Sequence, residues 1–248
     1  MAGAAATLTL PLWGCGGGVD LPNVGAQAAP TAISKEGIQF QTQPNAHALT
    51  VTDVRGVKRQ YGGIGTGAGK LNYPVDVAVL NGLAYVVETG NHRVQIFNAS
   101  GQSVGTLGEG TLLYPGGVIT GPDEILVSDS RNARIVGFTP EGRITRVIGS
   151  GLLSAPRGLA LVSDGLLVAD PGLRKVMKLA ADGSLKSEFG SDWVLPWDVA
   201  TDGKSVFVAD VSFSGIVVVS TQGSRIATIP LATAPTYLSY RNETLYYV

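Results

Sequence analysis

The chain has 248 residues, with 18 basic and 19 acidic side chains and a formal net charge of −1. It has no basic block, so it lacks the electrostatic footprint of a nucleic-acid binder. No apolar run reaches the roughly 18 residues that argue a transmembrane helix, and a single Cys excludes an internal disulfide or a Cys-based zinc site within the chain. Apolar residues make up 44% and charged residues 15%, with 34 Gly and 13 Pro. This is the composition of a chain that buries many short strands between frequent turns.

Residues 1–15 open the chain with an apolar stretch, Ala4 to Trp13, that ends in Gly14-Cys15. The run Leu12-Trp13-Gly14-Cys15 resembles a bacterial lipoprotein signal, in which Cys15 becomes the lipidated first residue. The expectation is a chain held at the cell envelope, facing periplasm or exterior, that meets the membrane only through that anchor. Residues 16–47, rich in Ala, Gln, Pro and Asn, are expected to form a flexible tether with one short strand at Ile38–Phe40.

From residue 48 onward the sequence repeats. AYVVETGNHRVQIFNASGQSVGTLG from Ala84 aligns with stretches from Ile125, Leu166 and Val206. Pro74, Pro115, Pro156 and Pro196 precede them at spacings of 41, 41 and 40 residues, and two other markers keep the same spacings. One is the turn glycine, at Gly101, Gly142, Gly183 and Gly223; the other is the acid, at Glu88, Asp129, Asp170 and Asp210. Each unit reads as four short antiparallel strands, and a four-stranded unit at this period is a β-propeller blade. The chain is therefore expected to be all-β.

A fifth proline, Pro235, starts the half-unit PTYLSYRNETLYYV, and ALTVTDVRGVKRQYGG from Ala48 matches the other half. Joining them gives a blade shared by both termini, which removes an open sheet edge. The count is then five blades over residues 48–248, with six blades or a partial ring as the alternatives.

The stretch Tyr61 to Val79 (YGGIGTGAGKLNYPVDVAV), followed by YVVETGNHRVQIF, resembles an NHL repeat, and SDSRNARIVGF repeats the pattern. The last whole repeat diverges, with Gly215 where Arg93 and Arg134 stand. The resemblance implies a propeller, commonly six-bladed. Such propellers include scaffolds, RNA binders, protein-interaction modules and a few lyases, so the fold does not fix the function. The lyases hold metal through several histidines, and this chain has only His47 and His92; His92 is expected to face solvent in a hairpin loop.

The acids Glu88, Asp129, Asp170 and Asp210 could converge on a cation. A position repeated in every blade is better explained by the blade itself, with each acid pairing across its hairpin or binding turn amides. The Gly62–Gly69 stretch lacks both the Lys-Ser/Thr ending and the following helix of a phosphate loop.

Function is sought where the repeats differ. After each proline come Val75-Asp76, Gly116-Gly117, Arg157-Gly158, Trp197-Asp198 and Thr236-Tyr237, at one mouth of the channel. Trp, Tyr and Arg are enriched at binding hot spots. The candidate binding residues are Arg157, Trp197, Tyr237, Asp76, Asp198 and Trp193, beside a gap left by Gly116-Gly117. No catalytic residue and no cofactor is assigned. The expected protein is a monomer that binds a protein or glycan partner. The alternative is a metal-assisted lactonase or lyase that uses channel carboxylates.

Overall fold

The computed structural model describes residues 21–26, 29–190, 193–212 and 214–248. The leader and Cys15 lie outside the described residues. The strands form six blades around a central channel. The first blade is β2 (Thr31–Ile33), β3 (Gln39–Gln43), β4 (Ala48–Thr52) and β5 (Lys58–Gly62). The second is β6 (Pro74–Leu80), β7 (Leu83–Glu88), β8 (Arg93–Phe97) and β9 (Ser103–Leu107). The third is β10 (Gly117–Thr120), β11 (Ile125–Asp129), β12 (Arg134–Phe138) and β13 (Ile144–Ile148). The fourth is β14 (Leu159–Val162), β15 (Gly165–Asp170), β16 (Lys175–Leu179) and β17 (Leu185–Phe189). The fifth is β18 (Pro196–Thr201), β19 (Ser205–Asp210), β20 (Gly215–Ser220) and β21 (Arg225–Pro230). The sixth joins the carboxy-terminal hairpin β22 (Leu238–Arg241) and β23 (Thr244–Tyr247) to β1 (Asn23–Ala26), which runs parallel to β23.

The expected count of five is thus corrected to six. Residues 48–62 do not complete a blade with the carboxy terminus; they pair with β3, inside the stretch expected to be a tether. The propeller therefore reaches back into residues 16–47, and β3 overlaps the expected strand Ile38–Phe40 at Gln39 and Phe40 and runs on to Gln43. The first blade was hidden because its markers are replaced. Gln43 pairs with Ala48 as Glu88 pairs with Arg93, so an amide stands where the other blades carry an acid. The spacing from Gln43 to Glu88 is also 45 residues rather than 41, which breaks the period. Termini still meet in one blade, but through β1 rather than β4 and β5.

Burial follows the position of each strand in its blade. Blades stack face to face, so the middle strands are covered on both sides and read as apolar runs. Every residue of β8 and β11 is buried. Outer strands reach the rim and alternate between exposed and covered, as β9 does. The core is accordingly divided into apolar clusters between successive blades. Tyr85 and Val127 share the one between blades two and three, and Phe207 and Leu245 the one between blades five and six. Blade six is tied to blade one by polar contacts: Arg241 donates to the Thr31 carbonyl at 3.1 Å, and the Tyr237 hydroxyl reaches it at 3.5 Å.

The turn glycine is required at Gly101 and Gly223, with φ of 75° and 91°. A Cβ at either position would also strike the ring of Tyr61 or Phe189, at 2.2 and 2.3 Å.

Candidate binding mouth

The repeated acids sit in sockets within their own blades. Glu88 Oε1 accepts hydrogen bonds from Arg93 Nε at 2.6 Å and Gln95 Nε2 at 2.9 Å, and Oε2 from Asn72 N and Asn91 Nδ2. Asp129 accepts from Leu113 N, Asn132 Nδ2 and Arg134 Nε. Where the residue paired with the acid is not Arg, backbone and hydroxyl donors take over. Asp170 binds the amides of Ser154, Ala155 and Leu173, and Asp210 those of Val194, Leu195 and Ser212 plus the Ser212 hydroxyl. All four carboxylates are buried. Their oxygens fasten the loop that enters each blade to the end of its second strand, which satisfies otherwise orphaned amides. Among the described residues no group of three metal-ligating side chains occurs.

Strand register brings Pro30, Asp76, Gly117, Gly158, Asp198 and Tyr237 to equivalent places in the six blades. At two of these places a carboxylate clips one blade to the next. Asp76 Oδ2 accepts from Val118 N at 2.8 Å, and Asp198 Oδ2 from Leu238 N at 2.7 Å. The other oxygen of each accepts the amide of the following residue, Val77 or Val199, at 2.8 Å. Inner strands have one unpaired edge, and these bonds satisfy part of it. The glycines permit close approach instead. A Cβ at Gly117 would lie 2.6 Å from the Arg157 carbonyl, and one at Gly158 would lie 1.9 Å from Asp198 Oδ1. The expected gap beside Gly116-Gly117 is therefore filled, by Arg157 and by Ser130 Oγ.

Asp76, Asp198 and Tyr237 line one end of a channel cavity of about 400 Å³. Its opposite end is bordered by Ile33 and Leu161, both more than a third exposed, and by Arg241. Burial pushes Asp76 up to about 7, against the pull of its two amide bonds. Burial raises Asp198 well above the usual carboxylate range, reinforced by the nearby Asp76. Tyr237 is raised for the same first reason, with both carboxylates adding to it.

This carries a pH signature. Asp76 holds its proton more tightly folded than unfolded, so between about pH 4 and 7 the folded state binds the extra proton. Stability from this group is present at the acid end and lost as pH rises through that window. The expected slope is at most roughly 1.4 kcal/mol per pH unit. Urea unfolding at pH 4, 5.5 and 7 should show the gap between wild type and Asp76→Asn changing across the window; parallel curves would rule the assignment out.

The remaining candidates divide. Arg157 and Trp197, both half-buried, do not line the cavity; they lie at the mouth beyond its carboxylate end. The Arg157 guanidinium stacks on the Trp197 ring, 3.7 Å from its centroid, and its stem rests against Gly116. Burial lowers Arg157 to about 10, opposed by the charges of Asp198 and Tyr73. Trp193 is not at the mouth: it is buried among Phe189, Val199 and Val217 and serves as a core wedge between blades four and five.

Sequence reasoning missed Tyr73 and Tyr114, the residues before Pro74 and Pro115. Both have positive φ, 52° and 49°, and both rings are about half exposed. Each backbone amide donates to a histidine Nδ1 of the preceding blade at 3.0 Å, Tyr73 to His47 and Tyr114 to His92. The Tyr114 ring also meets His92 edge-on at 4.3 Å. His92, expected simply to face solvent, is a half-buried clip between blades. The recurrent histidine–Tyr-Pro pairing was the available signal.

Fold and site define a six-bladed β-propeller whose channel is bounded at one mouth by polar and aromatic side chains. Residues 71–97 match the NHL repeat, and the chain folds as a β-propeller. No curated protein sequence matches it. Among solved structures it resembles a catalytically inactive virginiamycin B lyase from Staphylococcus aureus with quinupristin, at 19% identity and TM-score 0.72, covering 92% of this chain and 79% of that one. It also resembles a chain of a nidogen/laminin complex, at 15% identity and TM-score 0.70, covering 88% and 84%. A gluconolactonase from Xanthomonas campestris matches at 16% identity and TM-score 0.68, covering 89% and 82%. At these identities the likeness is one of fold.

Proposed function

We propose that the chain is a non-catalytic binding propeller whose protein or glycan partner docks on the mouth bearing Arg157 and Trp197. The observation that carries this reading is the loop face on which that pair lies. Ile64, Tyr73, Leu113, Tyr114, Leu152 and Val194 are each more than a third exposed, and all lie in loops that join one blade to the next. Those loops share one face of the ring. Apolar side chains gathered around a polar and aromatic centre are the anatomy of a docking surface. Rigid blades below fix the loops in place, which lowers the ordering cost of binding. With Cys15 lipidated, this face would be presented at the cell envelope.

The second reading is a metal-assisted lactonase or lyase. It draws on the channel carboxylates Asp76 and Asp198, whose raised proton affinity is a common mark of active sites. Against it, each carboxylate already uses both oxygens on backbone amides.

A pull-down from a lysate of the source organism separates the two. It compares wild type with the Arg157→Ala, Trp197→Ala double variant, each with and without EDTA. The expected result is a partner kept by wild type with or without EDTA and lost by the variant. A partner lost with EDTA alone would overturn the reading in favour of a metal-dependent channel site.

A further inference from the structure

The Arg157 guanidinium is an orphan. Its Nε is buried and has no hydrogen-bond partner, and among the described residues the side chain makes no hydrogen bond and no ion pair. Its contacts are the Trp197 face on one side and the Gly116 backbone along its stem. Burying polar N–H groups without acceptors is costly, and native proteins rarely leave them so. The other Arg residues near blade ends differ: Arg93 and Arg134 each bind a carboxylate. The Arg157 stem packs at van der Waals distance from the position of a Cβ on Gly116. The fold thus leaves one buried guanidinium N–H of Arg157 without an acceptor on the loop face of the mouth.

We propose that this mouth receives a protein segment that presents an Asp or Glu carboxylate between apolar side chains, with the carboxylate docking on Arg157. The inference rests on the binding reading above and names the chemistry of its partner. A planar guanidinium held against an indole offers its N–H groups edge-on, the geometry that matches a carboxylate bidentately. Among the described residues, no second basic side chain acts on Arg157. A single carboxylate suits this setting better than a doubly charged phosphate. The surrounding side chains favour protein over an acidic glycan. Four of the six exposed apolar side chains on this face, Ile64, Leu113, Leu152 and Val194, are aliphatic and suit the apolar side chains of a peptide; Tyr73 and Tyr114 are the two rings, and Arg157 already covers one face of Trp197.

The test uses the full chain and two fluorescein-labelled pools of capped peptides. In one pool a fixed Glu is flanked by randomised apolar residues; in the other Gln replaces Glu. Anisotropy should show the Glu pool binding wild type at least about tenfold more tightly than the Gln pool. Arg157→Lys should weaken binding, because it keeps the charge and loses the fork, and Arg157→Met should abolish it. Arg157→Met should also melt at the same temperature as wild type or higher, since it removes an unsatisfied buried group and keeps the stem. A structural arginine would give the opposite shift. Equal binding of both pools, binding of neither, or a melting point lowered by Arg157→Met would each overturn the proposal. Oligogalacturonate provides the glycan arm: Arg157-dependent binding of it without the Glu pool would defeat this inference and leave the binding reading standing. Loss of the binding reading itself is seen separately, as the EDTA-sensitive outcome of the pull-down.

Discussion

Truncation after Ala234 is expected to abolish the single cooperative unfolding transition. It removes β22 and β23 and strands β1, whose partner among the described residues is β23. Leu238 and Leu245 leave the cluster they form with Phe207, Ile216, Val218 and Ile229, and Phe207 also loses the stacked ring of Tyr240, 5.9 Å away. Asp198 loses the Leu238 amide, and Thr31 loses both donors that tie blade six to blade one. What remains is an open arc of five blades with an apolar face at one end, which invites association. Thermal unfolding followed by circular dichroism, with size-exclusion chromatography, should show a broad or absent transition and aggregated material. Deletion of residues 1–26, which removes β1 from the edge of its blade, should lower the melting point and leave the transition cooperative. A truncated chain that melts like the intact one would falsify ring closure through blade six.

Replacing Glu88 by Ala should be the most damaging single substitution among the repeated acids. The carboxylate and its partner Arg93 are both almost fully buried, with side-chain exposures of 0% and 8%. Removing one member of such a pair leaves the other charge uncompensated and costs roughly 3–5 kcal/mol. In a domain of this size that is a fall of about 10 °C in melting temperature. Arg93 would keep Glu109, which is itself largely exposed and a weaker substitute. Asp129→Ala should cost less, because the Arg134 side chain is 28% exposed and can be rehydrated. Asp170→Ala strands three amides rather than a cation, so its penalty comes from unsatisfied donors. Urea unfolding of the three variants should rank them with Glu88→Ala lowest. A loss below about 1 kcal/mol at Glu88 would show that the socket is not what fastens the loop.

Much of this was legible because a propeller blade meets the same demands at every turn of the ring. The proline at each inner strand and the acid that binds the entering loop recur at fixed spacing since each solves the same local problem. That is why Glu88, Asp129, Asp170 and Asp210 could be read as structural from the sequence. The first blade failed the same test for a physical reason. Gln43 and the polar strand QFQTQ occupy places that the pattern reserves for an acid and an apolar run, and the strand pairing of Phe40 with Val51 tolerates them. At the mouth, sequence picked out Arg157, Trp197, Asp76, Asp198 and Tyr237 as the variable positions. It could not sort them into a channel wall and an outer cap, or move Trp193 into the core.

By itself the sequence determined the repeat, the four-stranded blade, the positions of the turn glycines and the structural use of the acids. These follow from local hydrogen bonding and from a period that is printed in the chain. Only the tertiary structure decided the number of blades, the partner strand that closes the ring, and which side chains share the mouth. Those depend on contacts between residues far apart in the chain, such as Asp198 with Leu238 or Arg157 with Trp197. Ring closure sets such contacts by geometry, and no spacing within a single blade encodes them.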